Sequence, residues 1–205
     1  MSFSSFSHAG FIETSWKTIG DNKATLHEET GIEWLDLTQT DGESLAYVLD
    51  NLDGKYAGWR LPTKAEVETM FSAFFSDVDL SASRINSIYS GSFVSLFGKT
   101  ATNVIAKENY TNGIYFDNNG DAYGASAYAR TIINASYQNV ISAEKLSGND
   151  SYGYFLVSDG GVTISSIENP SLNAKNANSP SNVPEPLGLA AFLIGGLAFA
   201  RRKKI

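Results

Sequence analysis

The side chains of this 205-residue chain whose types and spacing could do chemistry fall in three places. The first is the run Gly58-Trp59-Arg60-Leu61-Pro62-Thr63, with Glu66 three residues further on. An arginine fork set between a tryptophan and a leucine can bind a ligand carboxylate through two parallel hydrogen bonds. The competing reading, adopted here, is structural. Arg60 pairs with an acid or with backbone carbonyls and locks a strand-to-helix corner, while Trp34 and Trp59 belong to the core. The second place is Asp117, Asn119 and Asp121, whose alternating oxygen side chains could begin a calcium loop. The bidentate acid that such a loop needs at its twelfth position would fall on Tyr128, so a plain hairpin turn is expected and no metal or other cofactor. The third is the pair of histidines, His8 and His27, the only two in the chain.

Those histidines limit hydrolytic chemistry. A serine nucleophile needs a histidine partner, and no Gly-x-Ser-x-Gly elbow occurs. There is no cysteine, which removes thiol nucleophiles, thiolate zinc sites and disulfides together. Phosphate-cradling and dinucleotide-binding glycine motifs are absent as well. A pair of carboxylates among the 22 acidic residues stays open as a catalytic device, because spacing alone does not place one.

Positioning these groups calls for a folded body. A hydrophobic content of 42% and an aromatic content of 12% are those of a globular domain. Leu45, Val48, Leu49 and Leu52 form one helical stripe, with Asp41 as a plausible N-cap and Asp53-Gly54 as a plausible stop. Val67, Met70, Phe71 and Phe74 repeat the spacing after a Thr63-x-x-Glu66 capping box preceded by Pro62. Ile85, Ile88, Tyr89, Phe93, Leu96 and Phe97 suggest a third helical region, broken at Gly91. Gly31 to Leu37 reads as a strand. Residues 113–117 and 121–128 flank Asn118-Asn119-Gly120 as a hairpin. Tyr152 to Val157 is apolar on both faces, as a central strand would be. Helices early and antiparallel strands late give an α+β class.

The C-terminus has a different character. Val183-Pro184-Glu185-Pro186 leads into an unbroken run of apolar residues and glycine from Leu187 to Ala200, closed by Arg201, Arg202, Lys203 and Lys204. As a helix these residues would rise roughly 21 Å against a hydrocarbon thickness of about 30 Å. That suits a short-lived anchor with its basic end held in the cytoplasm. A buried core helix and an uncleaved tail anchor are the alternatives, and the first would show a polar face that this run lacks. Of the 15 basic and 22 acidic residues, four basic and one acidic lie from Pro184 onward, so residues 1–183 carry a net charge of −10. So acidic a body repels phosphate backbones, and nucleic acid is not an expected partner.

The order Val-Pro-Glu-Pro, apolar helix, Arg-Arg-Lys-Lys resembles the PEP-CTERM sorting signal. The resemblance implies a membrane-embedded exosortase that cuts near Pro184-Glu185-Pro186. It further implies a transient inner-membrane precursor and delivery to the cell surface or medium of a bacterium that secretes exopolysaccharide. Export also implies a signal peptide. Met1 to Ala9 has no basic region or apolar run, yet Ser7-His8-Ala9 before Gly10 looks like the end of one, and the expectation is a start codon further upstream. Residues 165–183, rich in Asn, Ser and Pro, read as a flexible tether.

A second resemblance covers roughly residues 20–160. Gly31-Ile32-Glu33-Trp34-Leu35-Asp36-Leu37, the Gly58 to Thr63 run with Glu66, and Gly153-Tyr154-Phe155-Leu156-Val157 resemble the DUF1566/Lcl-like domains, relatives of the C-type-lectin-like and formylglycine-generating-enzyme fold. The resemblance implies a C-type-lectin-like domain with a twisted antiparallel sheet and flanking helices. Its relatives' chemistry does not carry over, because the cysteines are missing and so are the lectins' calcium-loop tripeptides. The expected organisation is a remnant over 1–9, the α+β body over 10–164, the linker over 165–183 and the sorting tail over 184–205, with its apolar helix at 187–200 and basic stop at 201–204. The expected role is non-enzymatic, in structure or in recognition of a glycan or matrix polymer such as exopolysaccharide. The alternative is a secreted carboxylate-dependent hydrolase acting on surface polysaccharide.

Overall fold

The computed structural model describes residues 7–8, 10–76, 85–86, 89–128, 132–134, 146–148 and 151–173. The sorting tail, with Pro184, Glu185, Pro186, the segment from Leu187 to Ala200 and the basic stop, lies outside the described residues, as do most of the expected linker and most of the N-terminal remnant. Among the described residues no helix is long and apolar enough to cross a membrane.

The class is α+β, built on two sheets. The first is antiparallel throughout, in the order β1 (Ser7–His8), β2 (Phe11–Thr14), β3 (Ala24–His27), β4 (Ile32–Leu35) and β11 (Val157–Ser158). The second runs β10 (Gly153–Tyr154), β7 (Glu108–Phe116), β8 (Ala122–Tyr128), β9 (Ile132–Asn134), β5 (Ile85–Asn86), with β6 (Ala101–Asn103) also paired to β7. The expected strand at Gly31 to Leu37 is trimmed to β4, because Asp36 accepts a hydrogen bond from the Thr38 N–H and turns Leu37–Gln39 into a 3-10 helix.

The expected central strand from Tyr152 to Val157 is instead divided between the sheets. Gly153 and Tyr154 pair parallel with Gly113 and Ile114, and Val157 and Ser158 pair antiparallel with Trp34 and Glu33. Its apolar character on both faces is real, since Gly153 through Ser158 are all buried. The cause is a seam between two sheets rather than the middle of one. Gly113 permits this seam, because a Cβ there would overlap the Phe155 ring.

Three helices form where periodicity predicts them, with different ends. α1 covers Leu45–Asp50 and is capped by Ser44, whose hydroxyl accepts from the Tyr47 N–H at 3.2 Å, not by Asp41. Its stop is Asn51 rather than Asp53-Gly54, and a chain of turns follows to Gly58. α2 covers Lys64–Phe74 with the expected reciprocal capping box of Thr63 and Glu66. α3 covers Ser90–Phe97 and runs through Gly91, which sits in its first turn rather than breaking it. Ile85 belongs to β5, and Ile88 lies outside the described residues.

A fourth helix, α4 (Ile164–Glu168), and a 3-10 turn at Pro170–Leu172 occupy the start of the expected tether. They are tied down by the Ile164 N–H on the Ser15 carbonyl at 2.9 Å and the Ser15 N–H on Ser165 Oγ at 3.2 Å. Short polar side chains, unsuited to a core, serve here as caps and anchors.

Two apolar clusters result. α2 and α3 pack Val67, Met70, Phe71, Phe74, Phe93 and Phe97 against Trp34, Tyr115 and Phe155. On the other face of β7, Ile114 and Phe116 meet Trp16, Val48, Tyr56, Trp59 and Tyr154. The body is therefore layered around the β7–β8 hairpin, and both predicted core tryptophans are buried, Trp34 to 1% exposure and Trp59 to 3%.

Candidate functional site

The Gly58 to Thr63 run becomes a corner held at three points. Arg60 exchanges both backbone hydrogen bonds with Val157 of β11, at 2.9 and 2.8 Å. Its guanidinium reaches forward to α2, donating Nη1 to Glu66 Oε2 at 2.9 Å and Nη2 to Glu66 Oε1 at 2.7 Å. Nη2 also donates to Asp159 Oδ1 at 2.8 Å, just past β11. Leu61 packs at the edge of the second cluster, and Pro62 is buried before the cap. Glu66 Oε2 accepts from the Thr63 N–H at 2.7 Å while the Glu66 N–H donates to Thr63 Oγ1 at 3.2 Å. Burial pushes the Glu66 carboxyl up, but the Arg60 guanidinium and the Thr63 donors outweigh it and hold the group below the ordinary glutamate range. Burial likewise works against the Arg60 charge, and the two carboxylates more than restore it. Both terminal nitrogens of Arg60 thus have partners inside the protein, which fits the structural reading of this motif.

Asp117, Asn119 and Asp121 come together only as a turn. Asp117 Oδ1 accepts from the N–H groups of Asn119 at 2.9 Å and Asp121 at 3.0 Å, closing the link between β7 and β8. Gly120 takes the left-handed conformation the turn requires, at φ +83°. Among the described residues no three His, Asp or Glu side chains cluster as a metal site would need.

Sequence reasoning missed two features. The first is a cavity of about 210 Å³ between the β3–β4 hairpin and the first turns of α2, lined by His27, Thr30, Ile32, Trp34, Ala65, Glu66, Thr69 and Met70. His27 stacks flat on Phe11 with ring centroids 4.3 Å apart, and its Nδ1 lies 3.0 Å from Thr30 Oγ1. Burial lowers the His27 pKa, with Glu29 opposing, so the ring is neutral at neutral pH. The Trp34 indole N–H is buried without a hydrogen-bond partner among the described residues. Only a register that pairs His27 with Ile32, with α2 folded across that hairpin, brings these residues together.

The second is an aromatic and polar face on the second sheet. Residues of β7 alternate, so Glu108, Tyr110 and Asn112 share a face with the buried Ile114 and Phe116, beyond the reach of the cluster that covers those two. Tyr110 pairs directly with Tyr128 across the strands, and Asn112 with Ser126. The two tyrosine rings meet edge to face with centroids 4.4 Å apart and remain partly exposed. Tyr110 donates its hydroxyl to Glu108 Oε2 at 2.6 Å, and that bond raises the phenol's pKa above its ordinary value. The visible signal was the spacing Glu108-x-Tyr110-x-Asn112, a period of two that places them together on any strand.

No family model, curated protein or solved structure matches this chain.

Proposed function

We propose that this is an exported, exosortase-sorted surface or matrix protein whose body binds a neutral glycan chain without catalysis. The observation that carries the binding role is the open Tyr110–Tyr128 face. Two partly exposed aromatic rings on paired strands, beside a carboxylate and a hydroxyl from Glu108 and Ser126, combine an apolar surface for sugar C–H groups with hydrogen-bond partners for hydroxyls. The acidic body disfavours anionic polymers, which points to an uncharged chain. The order of blocks from Pro184 to Lys204 supports the export role.

The competing hydrolase needs two carboxylates facing each other across a cleft. The cavity on the first sheet is lined by one carboxylate, Glu66, and Arg60 already holds it. The finer fold assignment, a C-type-lectin-like domain, is part of the same reading. It is supported by α2 and α3 packing on an antiparallel sheet and by the Arg60 corner bonded to the late strand β11.

Two measurements test the proposal. The intact mass of the mature protein from envelope and medium fractions should show loss of residues near Pro184 to Ile205, and a membrane-bound mass that retains Ile205 overturns the sorting role. Affinity electrophoresis of the full chain through dextran or amylose should retard it more than alginate does. Equal migration in all gels removes the glycan role.

A further inference from the structure

We infer that the cavity between the β3–β4 hairpin and α2 is a second binding site, one that takes a single uncharged, polyhydroxylated ring of pyranose size. The ligand class rests on the reading of the body as a glycan binder, but the site is separate from the Tyr110–Tyr128 face.

Size comes first. About 210 Å³ is below the roughly 300–1,000 Å³ of pockets that engulf drug-sized ligands. A space of that order holds about one ring, so a free sugar and a chain terminus are the two sources of the same chemistry. The lining is mostly apolar, with a few polar atoms set among it. Trp34, Ile32, Met70 and Ala65 offer apolar surface to C–H faces, while His27, Thr30 and Thr69 offer polar atoms to hydroxyls.

The polar groups are held ready. Thr30 engages His27 Nδ1, and no described residue engages Nε2. In either tautomer that nitrogen offers one hydrogen-bonding group. Glu66 is held in place by Arg60 and Thr63 with both carboxylate oxygens already engaged, so it shapes the cavity wall rather than supplying a free acceptor. Charge narrows the class further. The Glu66 charge is matched by Arg60, and Glu29 adds negative potential at His27, so an anionic ring is disfavoured and a neutral one is not.

The experiment uses the full chain and saturation-transfer NMR with methyl β-glucopyranoside, methyl β-galactopyranoside and methyl α-mannopyranoside, the neutral tetrasaccharide maltotetraose, and glucuronate as the anionic counterpart. At least one neutral probe should bind with a Kd of about 1 mM, glucuronate about tenfold more weakly. The substitutions A65W and T69W each fill the mouth from an exposed position of α2, so the fold is not at risk. Both should abolish the signal of the monosaccharide glycosides, while Y110A and Y128A leave it in place. A signal from maltotetraose alone, lost in A65W, assigns the site to chain ends and supports the inference. Monosaccharide binding that survives A65W and T69W overturns it, as does silence from every probe. Loss in Y110A with survival in A65W leaves the exposed face as the glycan site and removes the cavity.

Discussion

The corner from Gly58 to Glu66 and the face around Tyr110 and Tyr128 draw on the same kinds of side chain, aromatic rings beside carboxylates and hydrogen-bond donors. They differ in how many of those groups the protein uses for itself. At the corner, Trp59 is buried, and one guanidinium satisfies two carboxylates that come from different ends of the body. At the face, the two rings meet edge to face and stay partly exposed, and Tyr110 donates to Glu108, two residues away. Mutually satisfied groups under partial burial hold elements together. Rings fixed by strand pairing and left partly exposed can meet something else. Substitutions at the corner should therefore appear as lost stability, and substitutions at the face as lost binding.

The strongest test of that division is Arg60→Ala. It leaves Glu66 and Asp159 without their cation and unties α2 from β11. Breaking a buried pair costs about 3–5 kcal/mol, and the partial exposure of Arg60 at 24% and Glu66 at 17% reduces this to about 2–3 kcal/mol. Urea unfolding of the full chain should show the loss, with Arg60→Lys recovering only part of it because an ammonium cannot span both oxygens. Retardation by dextran should be unchanged under conditions where the variant is folded. A loss under about 0.5 kcal/mol would place Arg60 among ordinary surface residues and open it to ligand binding again.

The same contrast explains what could be read along the chain. Signals that complete themselves within a few residues were legible: the Thr63–Glu66 box, the Asn118-Asn119-Gly120 turn and the stripes that bury Val48 and Phe71. Long-range pairing was not. The run Gly153 to Ser158 reads as one strand because composition reports burial, and nothing local says that the chain leaves one sheet for the other at Phe155. Ser165 and Ser166 look like tether, yet the Ser166 hydroxyl closes a local turn on the Gly161 N–H and the Ser165 hydroxyl accepts from the N–H of Ser15, whose proximity only the fold creates. His27 was one of two histidines and was considered only as a nucleophile's partner. Its cavity depends on Ala65 and Thr69, which lie about forty residues away in sequence and carry no local signal of their own.

A second prediction sharpens the comparison within the interior, where two glutamates respond to pH with opposite signs. Glu66 has its folded pKa depressed, so its contribution to stability is present above the unfolded value of about 4.3 and is lost as pH falls through the lower folded value. Burial raises the Glu33 carboxyl, and the hydroxyls of Thr163, Ser166 and Ser158 offset this only in part. Its contribution is full below about pH 4.3 and is lost as pH rises through the raised folded value. Stability measured against pH should therefore separate the variants. Relative to the parent, Glu33→Gln should gain steadily as pH rises out of the acid range, and the deficit of Glu66→Gln should vanish as pH falls into it. Parallel curves for both variants would mean that Glu33 is ionised in the fold, and that the Thr163 bond to it is a charge-assisted anchor for α4 rather than a neutral contact.

The smallest effect on stability is expected at the face itself. Tyr110 and Tyr128 form a directly opposed cross-strand pair, and such pairs contribute roughly 0.2–1 kcal/mol. Removing either ring by Y110A or Y128A should cost no more than that, because the strands stay paired along β7 and β8 and the cluster beneath Ile114 and Phe116 is untouched. Retardation by dextran should fall about tenfold, since a stacking ring at the centre of a binding face carries a large share of its energy. Phe at either position separates the ring from the hydroxyl. Y128F should keep most of the affinity if C–H stacking dominates. Y110F releases Glu108 from its bond and should shift affinity in proportion to how much the ligand's hydroxyls need that carboxylate. Should Y110A instead destabilise the body by about 2 kcal/mol while binding survives, the face is architecture like the corner, and the distinction between the two regions fails.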